Sequence, residues 1–268
     1  MKKCLLLFHR GFTDQIAMMP IVDYYRTIYS DITILNVPQA KFLYNFYLKN
    51  KTGINTIYSD VYNTNDVHSS NINKYNSTEY DYLFHGKHDR NRLDRYKNSY
   101  TSVPWQIPNS PHFGKRYYEF YGIDFINKIN FFIFDREPNI ENEKYEEFIK
   151  KNSQEYILYH DDLATDHENI NIRLINNKIK SINLNGLASQ CFYYIKILEN
   201  AKEIHLIDSV WAQFCYLLDA KYGVLKNTKI FLYPFTQKER WGGLIKDTYY
   251  KSEFKFEPVS LNNWSIII

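Results

Sequence analysis

The chain has 268 residues, of which 44% are hydrophobic and 24% charged, with a formal net charge of +3. This composition excludes a disordered tail, a collagen-like rod and a coiled coil, and the length suits one large or two small domains. A chain this long buries a sizeable core without disulfides or a structural metal, and 33 basic against 30 acidic residues are too balanced to predict nucleic-acid binding from the field alone.

The 25 Tyr and 18 Phe, beside only 9 Gly, read first as the coding bias of an AT-rich genome. Cys4, Cys191 and Cys215 match no metal-ligand spacing and cannot all pair, which fits a reduced cytoplasmic compartment. No stretch approaches the ~20 apolar residues of a membrane span. The apolar run Cys4–Phe8 is too short for a signal segment and suits a buried first strand.

In chain order, residues 3–8 read as that strand. Residues 14–29 read as a helix with Ile16, Met19, Ile21 or Val22, Tyr25 and Ile28 on one face, Thr13 as cap and a kink expected at Pro20. A strand is predicted at 31–37, a helix at 38–50 and a third strand at 54–60. This alternation argues for a parallel sheet and the α/β class. Residues 61–79 are Asn- and Ser-rich and read as a surface loop. YDYLFHG (80–86) is a further strand, leading into the charged loop 87–95, and 112–124 reads as a helix closed near Gly122. The acidic, Pro-marked stretch 135–152 reads as the domain boundary, partly helical after Pro138. A second α/β unit follows, with strands at 155–160, 181–184, 203–208 and 229–235, the last expected to be the final parallel strand. Helices are predicted at 187–202 and 209–221.

Four constellations could carry chemistry. The turn HRGFTDQ (9–15) leaves the first strand at its carboxyl end, where open α/β sheets bind ligands. Gly11 permits close backbone approach and Asp14 is either a general base or an acidic residue decorating a helix N-terminus. No GxGxxG dinucleotide fingerprint is present. At IHLIDSVWAQF (204–214) a strand ends at Asp208 and a helix starts at Ser209, so the junction is either a diphosphate site or an ordinary N-cap. HDDLATDH (160–167) offers His160, Asp161, Asp162 and His167, read as a substrate-binding or solvated loop or as a metal site, although its spacing fits no standard zinc motif. The cluster His85, Lys87, His88, Arg90, Arg92 and Arg95 could hold a phosphate, or be a solvated loop neutralised by Asp89 and Asp94.

Taken in order, these segments resemble glycosyltransferase family 9, the heptosyltransferase-like enzymes. GFTDQIAMMPIVDYYRTIY resembles the family's first motif, a G-x-G-D turn followed by an apolar helix with an internal proline and a basic end. HFGKRYYEFYGID resembles its helix before the interdomain linker. LNGLASQCFYYIKILENAKEIHLIDSVWAQFCYLLDA resembles its donor-site stretch, LYPFTQKERWGG the following strand and Trp-Gly loop, and EYILYHDD a strand end of short relatives. The resemblance implies two Rossmann-like domains with a cleft between them, the B-type glycosyltransferase fold. They would be 1–135 on the acceptor side, a linker at 136–152, and 153–268 on the donor side. It also implies sugar transfer from a nucleotide-sugar donor to a glycan or other hydroxyl acceptor, inverting, with neither metal nor cofactor and with no nucleic-acid partner.

Asp14 takes the place of the catalytic base in that match, with His9, Arg10, Gly11 and Thr13 around it. Asp208 and Ser209 take the place of the donor-phosphate contacts. His160, Asp161, Asp162, Gln213, Lys238 and Arg240 complete the expected substrate-binding set, the last two as cationic help for the leaving group. Thr13 stands where the family has Gly; Val210 and Gln213 stand where it has Gly and His. Only about twenty residues separate His160 from Ser181, so the second domain is expected to be reduced. Two rival classes stand beside transfer: a nucleotide-sugar- or glycan-binding module without turnover, and a metal-assisted hydrolase built on His160, Asp161, Asp162 and His167.

Overall fold

A computed structural model describes residues 3–7, 12–36, 38–58, 82–85, 100–102, 115, 118, 123–161, 178–207, 209–233 and 259–266. The chain divides into two compact units, Met1–Asp135 and Arg136–Ile268.

Among the described residues the first unit holds a parallel sheet of five strands: β1 (Lys3–Leu7), β2 (Asp31–Asn36), β3 (Ile54–Tyr58), β4 (Tyr82–His85) and β5 (Tyr100–Ser102), in the order β3-β2-β1-β4-β5. The strands are near-continuous apolar runs because a parallel sheet is covered on both faces; Cys4, Leu6, Ile32 and Ile34 are fully buried. Between β1 and β2 runs α1 (Phe12–Arg26), continuous through Pro20. It is wrapped on all sides: every residue from Gln15 to Asp23 is buried, so the helix has no single apolar face. It starts two residues earlier and ends three residues sooner than its periodicity suggests, which leaves Ile28 outside the helix and exposed. α2 (Lys41–Tyr47) follows a 3₁₀ turn at Pro38–Ala40, and α3 (Asn127–Asn130) packs near α1. Most of the helix expected at 112–124 lies outside the described residues, but Tyr118 is buried and its hydroxyl donates to Ala17 O at 2.8 Å.

Buried polar groups in this unit are paired. Gln15 and Asn36 exchange two side-chain hydrogen bonds, 2.8 and 3.1 Å, fastening the first turns of α1 to the end of β2. Asp23 accepts from the Tyr47 hydroxyl at 2.5 Å, from Arg26 at 3.1 Å and from Lys51, whose ammonium also reaches Ile133 O. That cluster pins the segment before residue 135 to the first unit.

The second unit begins with the stretch expected as a linker. Residues Pro138–Lys151 form α4, a helix of 14 residues within this unit, with Pro at its start where no N–H is needed. The buried Glu141 on α4 is held by Arg136, which also bonds Glu199 Oε1 at 2.6 Å. The sheet is again parallel and five-stranded: β6 (Tyr156–His160), β7 (Lys180–Asn183), β8 (Glu203–Ile207), β9 (Lys229–Tyr233) and β10 (Trp264–Ile266), in the order β10-β9-β8-β6-β7. The helix expected at 187–202 is a 3₁₀ segment, Ala188–Tyr194, running into the short α5 (Ile195–Glu199). α6 (Val210–Tyr222) carries the densest part of the core, with Trp211, Phe214, Cys215 and Leu217 fully buried. It closes at Gly223, which adopts φ 62° and donates its N–H to Asp219 O at 2.8 Å.

Two strands were not expected from the sequence. β5 and β10 are each three residues long and sit at sheet edges, and β10 rather than β9 ends the second sheet. β10 is held by Asp219 on α6, whose carboxylate accepts from Asn263 Nδ2 at 2.9 Å, Trp264 Nε1 at 3.2 Å and the Leu225 N–H at 3.1 Å. Among the described residues no helix is long and apolar enough to cross a membrane.

Candidate functional site

Each sheet has one place where the strand order reverses, and ligands of open α/β sheets bind there, outside the carboxyl ends of the strands. In the first unit it falls between β1 and β4, because β2 lies on one side of β1 and β4 on the other. The turn 8–11, with His9, Arg10 and Gly11, lies outside the described residues. It leads directly into α1, whose second and third residues are Thr13 and Asp14. Asp14 therefore stands in the first turn of a helix that starts at this reversal point, where the helix dipole favours a negative charge. The neighbouring strand ends at His85, in register with Leu7 of β1. The other basic residues of that cluster, Lys87, His88, Arg90, Arg92 and Arg95, fall outside the described residues.

In the second unit the order reverses between β6 and β8. β6 ends at His160, in register with Leu206 of β8, and His160 is buried. Asp161 follows it at the sheet edge. Asp208 lies outside the described residues. Ser209 is the N-cap of α6, with extended backbone (φ −155°) and a carbonyl that accepts the Gln213 N–H at 3.0 Å. The N–H groups of the first turn of α6 have no earlier turn to bond, and they point out of the helix end at this edge.

Ser209 departs from an ordinary cap in one respect. Its side chain makes no capping hydrogen bond, although supplying one is the usual reason for serine at this position. The residue is 8% exposed, and its buried Oγ has no partner among the described residues. A buried hydroxyl without a partner costs roughly 1–3 kcal/mol, so the arrangement is unfavourable unless a ligand completes it. The first turn is held in place: Trp211 donates Nε1–H to Leu184 O at 3.3 Å and meets Tyr194 edge-on, with centroids 5.9 Å apart. Gln213 is buried in the same turn.

The sequence expectations are thus spread over two sheet edges. Thr13 and Asp14 belong to the first; His160, Asp161, Ser209 and Gln213 come together along the second. Asp162, His167, Lys238 and Arg240 lie outside the described residues. Sequence reasoning missed Asn183 and Asn185, which bond the Asp161 carboxylate at the end of β7. The signal available was the polar N-x-N-G that closes this strand, a turn signature by composition. The three cysteines are all buried and free, and burial pushes each thiol up, away from nucleophile chemistry. On β8, His205 is fully buried between Tyr233 (Nδ1 to hydroxyl 2.9 Å) and Glu203 (Nε2 to Oε2 3.3 Å), and burial lowers its pKa.

Comparison with solved structures finds the same fold. The chain is similar to a glycosyltransferase family 9 structure from Veillonella parvula, with a TM-score of 0.53, 10% identity, and 86% of this chain and 80% of that one covered. It is also similar to the ADP-heptose lps heptosyltransferase II of E. coli, with a TM-score of 0.54, 10% identity, and 100% and 90% coverage. These are structures of the family whose motifs the sequence resembles, and at this identity the likeness is one of fold, α/β with parallel sheets. No protein-family model and no curated protein matches the chain.

Proposed function

We propose that this protein is a glycosyltransferase that moves a sugar from a nucleotide-sugar donor to a glycan or other hydroxyl acceptor, with inversion. The observation that carries the reading is Ser209: a buried hydroxyl without a partner among the described residues, at the start of a 13-residue helix and at the reversal point of a parallel sheet. Free N–H groups, the helix dipole and a hydroxyl donor together suit a diphosphate. The glycosyltransferase-like fold supports the same reading.

In the chemistry that follows, Asp14 takes the proton of the acceptor hydroxyl while that oxygen attacks the anomeric carbon. The bond from that carbon to the diphosphate oxygen breaks, and the departing nucleoside diphosphate carries away the electron pair. Its growing charge is met by the N–H groups of α6 and by the Ser209 hydroxyl, with Lys238 and Arg240 as further contacts. His9, Arg10, Gly11 and Thr13 would line the acceptor side. Donors fixed in place supply the stabilisation that a metal gives in other transferases. The buried Gln213 favours a second reading, a nucleotide-sugar-binding module, because an uncharged amide stands in the helix turn that would face the leaving group.

Sugar transfer with Asp14→Asn separates the two. Removing a general base costs roughly 100- to 10,000-fold in rate. The experiment screens nucleotide-sugars for transfer and then compares this variant with wild type. Donor binding without turnover in wild type would establish the module, and transfer by Asp14→Asn at an undiminished rate would move the base elsewhere.

A further inference from the structure

The carboxyl end of β6 carries a carboxylate fixed from one side by two asparagines. Asn185 Nδ2 donates to Asp161 Oδ1 at 2.8 Å, and Asn183 Nδ2 donates to the same oxygen at 3.2 Å. Asn185 Oδ1 accepts the Asp161 N–H at 3.3 Å, and Asn183 Oδ1 accepts the Asn185 N–H at 2.6 Å. All four polar side-chain atoms of the two asparagines are engaged in holding Asp161 or each other. Asp161 Oδ2 accepts no hydrogen bond from the described residues, and Asp161 itself is only half-buried.

The β6–β8 register places Asp161 level with Ile207, two residues before Ser209 on the adjacent strand. Strands lie about 4.8 Å apart and a residue spans at most about 3.6 Å, so the two backbone positions lie within roughly 12 Å of each other. A carboxylate accepts hydrogen bonds and donates none, so it repels a diphosphate oxygen and pairs with hydroxyl groups. A sugar linked to a diphosphate presents hydroxyls at about that reach.

We propose that Asp161 reads the hydroxyl groups of a sugar attached to the diphosphate held at Ser209. The inference rests on the donor-site reading of Ser209 and names what lies beside the phosphates. Hydroxyls could come from the nucleoside ribose or from the transferred sugar, and the shared chemistry is a neutral polyol against a preorganised carboxylate.

Asp161→Asn tests it without dismantling the scaffold. The amide carbonyl can still accept from both asparagines, while the second carboxylate oxygen becomes an N–H₂ group. The probes for isothermal titration are inorganic pyrophosphate; ADP, UDP and GDP; their 2′,3′-dideoxy forms; and their glucose conjugates. Pyrophosphate is expected to bind the variant as well as wild type or better, whereas hydroxyl-bearing probes lose roughly tenfold or more, the size of a lost charge-assisted hydrogen bond. A loss seen with the nucleoside diphosphates and absent from the dideoxy forms assigns the ribose. A loss confined to the glucose conjugates assigns the transferred sugar. Should Asp161→Asn bind every probe within about twofold of wild type while Ser209→Ala weakens them, hydroxyl reading is overturned and the diphosphate site stands. Should wild type bind none of the probes, or Ser209→Ala leave their affinity unchanged, the donor site fails and this inference with it.

Discussion

Ser209→Ala is expected to move stability and affinity in opposite directions. An ordinary serine N-cap bonds a backbone N–H, and its replacement by alanine costs about 0.5–2 kcal/mol. Ser209 makes no such bond. Its Oγ is instead buried without a partner among the described residues, a burden of roughly 1–3 kcal/mol. Removing the hydroxyl therefore leaves no capping bond to lose and lifts that burden. The ligand-free variant should unfold at a higher temperature, by about 2–4 °C for each kcal/mol regained in a chain of this size. The same change deletes a donor to a charged group, worth about 1.5–3 kcal/mol, so nucleoside diphosphate affinity should fall roughly 10- to 150-fold. Thermal unfolding followed by circular dichroism gives the first quantity and isothermal titration with ADP, UDP and GDP the second. A variant that melts lower and binds as wild type does would show Ser209 to be a plain structural cap, and the reasoning would be refuted.

The Asp219 carboxylate gathers three donors from two parts of the second unit. Asp219→Ala strands the Trp264 and Leu225 donors, while Asn263 Nδ2 keeps Leu225 O and Thr228 O as acceptors; it should cost roughly 3–5 kcal/mol, lowering the unfolding midpoint by about 10 °C, and a loss below about 1 kcal/mol would contradict the role given to it. His205 has a pKa lowered by burial from 6.5, with Glu203 opposing the shift. The unfolded chain thus takes up the proton first, so this histidine's contribution is complete above about pH 6.5 and declines as pH falls below it. The pH dependence of the unfolding midpoint between about pH 7 and pH 5 should be shallower in His205→Gln than in wild type; parallel curves would remove His205 as its source.

The long central strands and α1 were legible because their signal is burial. Runs such as Cys4–Phe8 and Ile204–Ile207 are apolar enough to mark strands covered on both faces. The same burial blurred the ends of α1, since a helix enclosed all round has no periodic edge to read. β5 and β10 escaped because three residues at a sheet margin carry no pattern, and β10 is secured by Asp219 across a long stretch of sequence. At the candidate site, the position of Ser209 between strand and helix was readable, but its orphaned hydroxyl was not: serine at an N-cap looks the same whether its side chain caps or waits. The grip of Asn183 and Asn185 on Asp161 was hidden for a related reason. It joins residues more than twenty positions apart, and polar residues after a strand read simply as a turn.

The attachment of β10 also sets an order on synthesis. A chain emerging from the ribosome has the five described strands of its first sheet once Ser102 has appeared. The second sheet is still missing its outer strand when β9 is complete, because Trp264–Ile266 comes after a long intervening stretch. Until then no described strand pairs with the outer edge of β9, and an unpaired strand edge is the kind of surface to which another nascent chain can add. Asp219, already buried in its helix, waits over the same interval for Asn263 and Trp264. The two units thus finish at different times, and the late one is the unit whose edge carries Ser209 and Asp161.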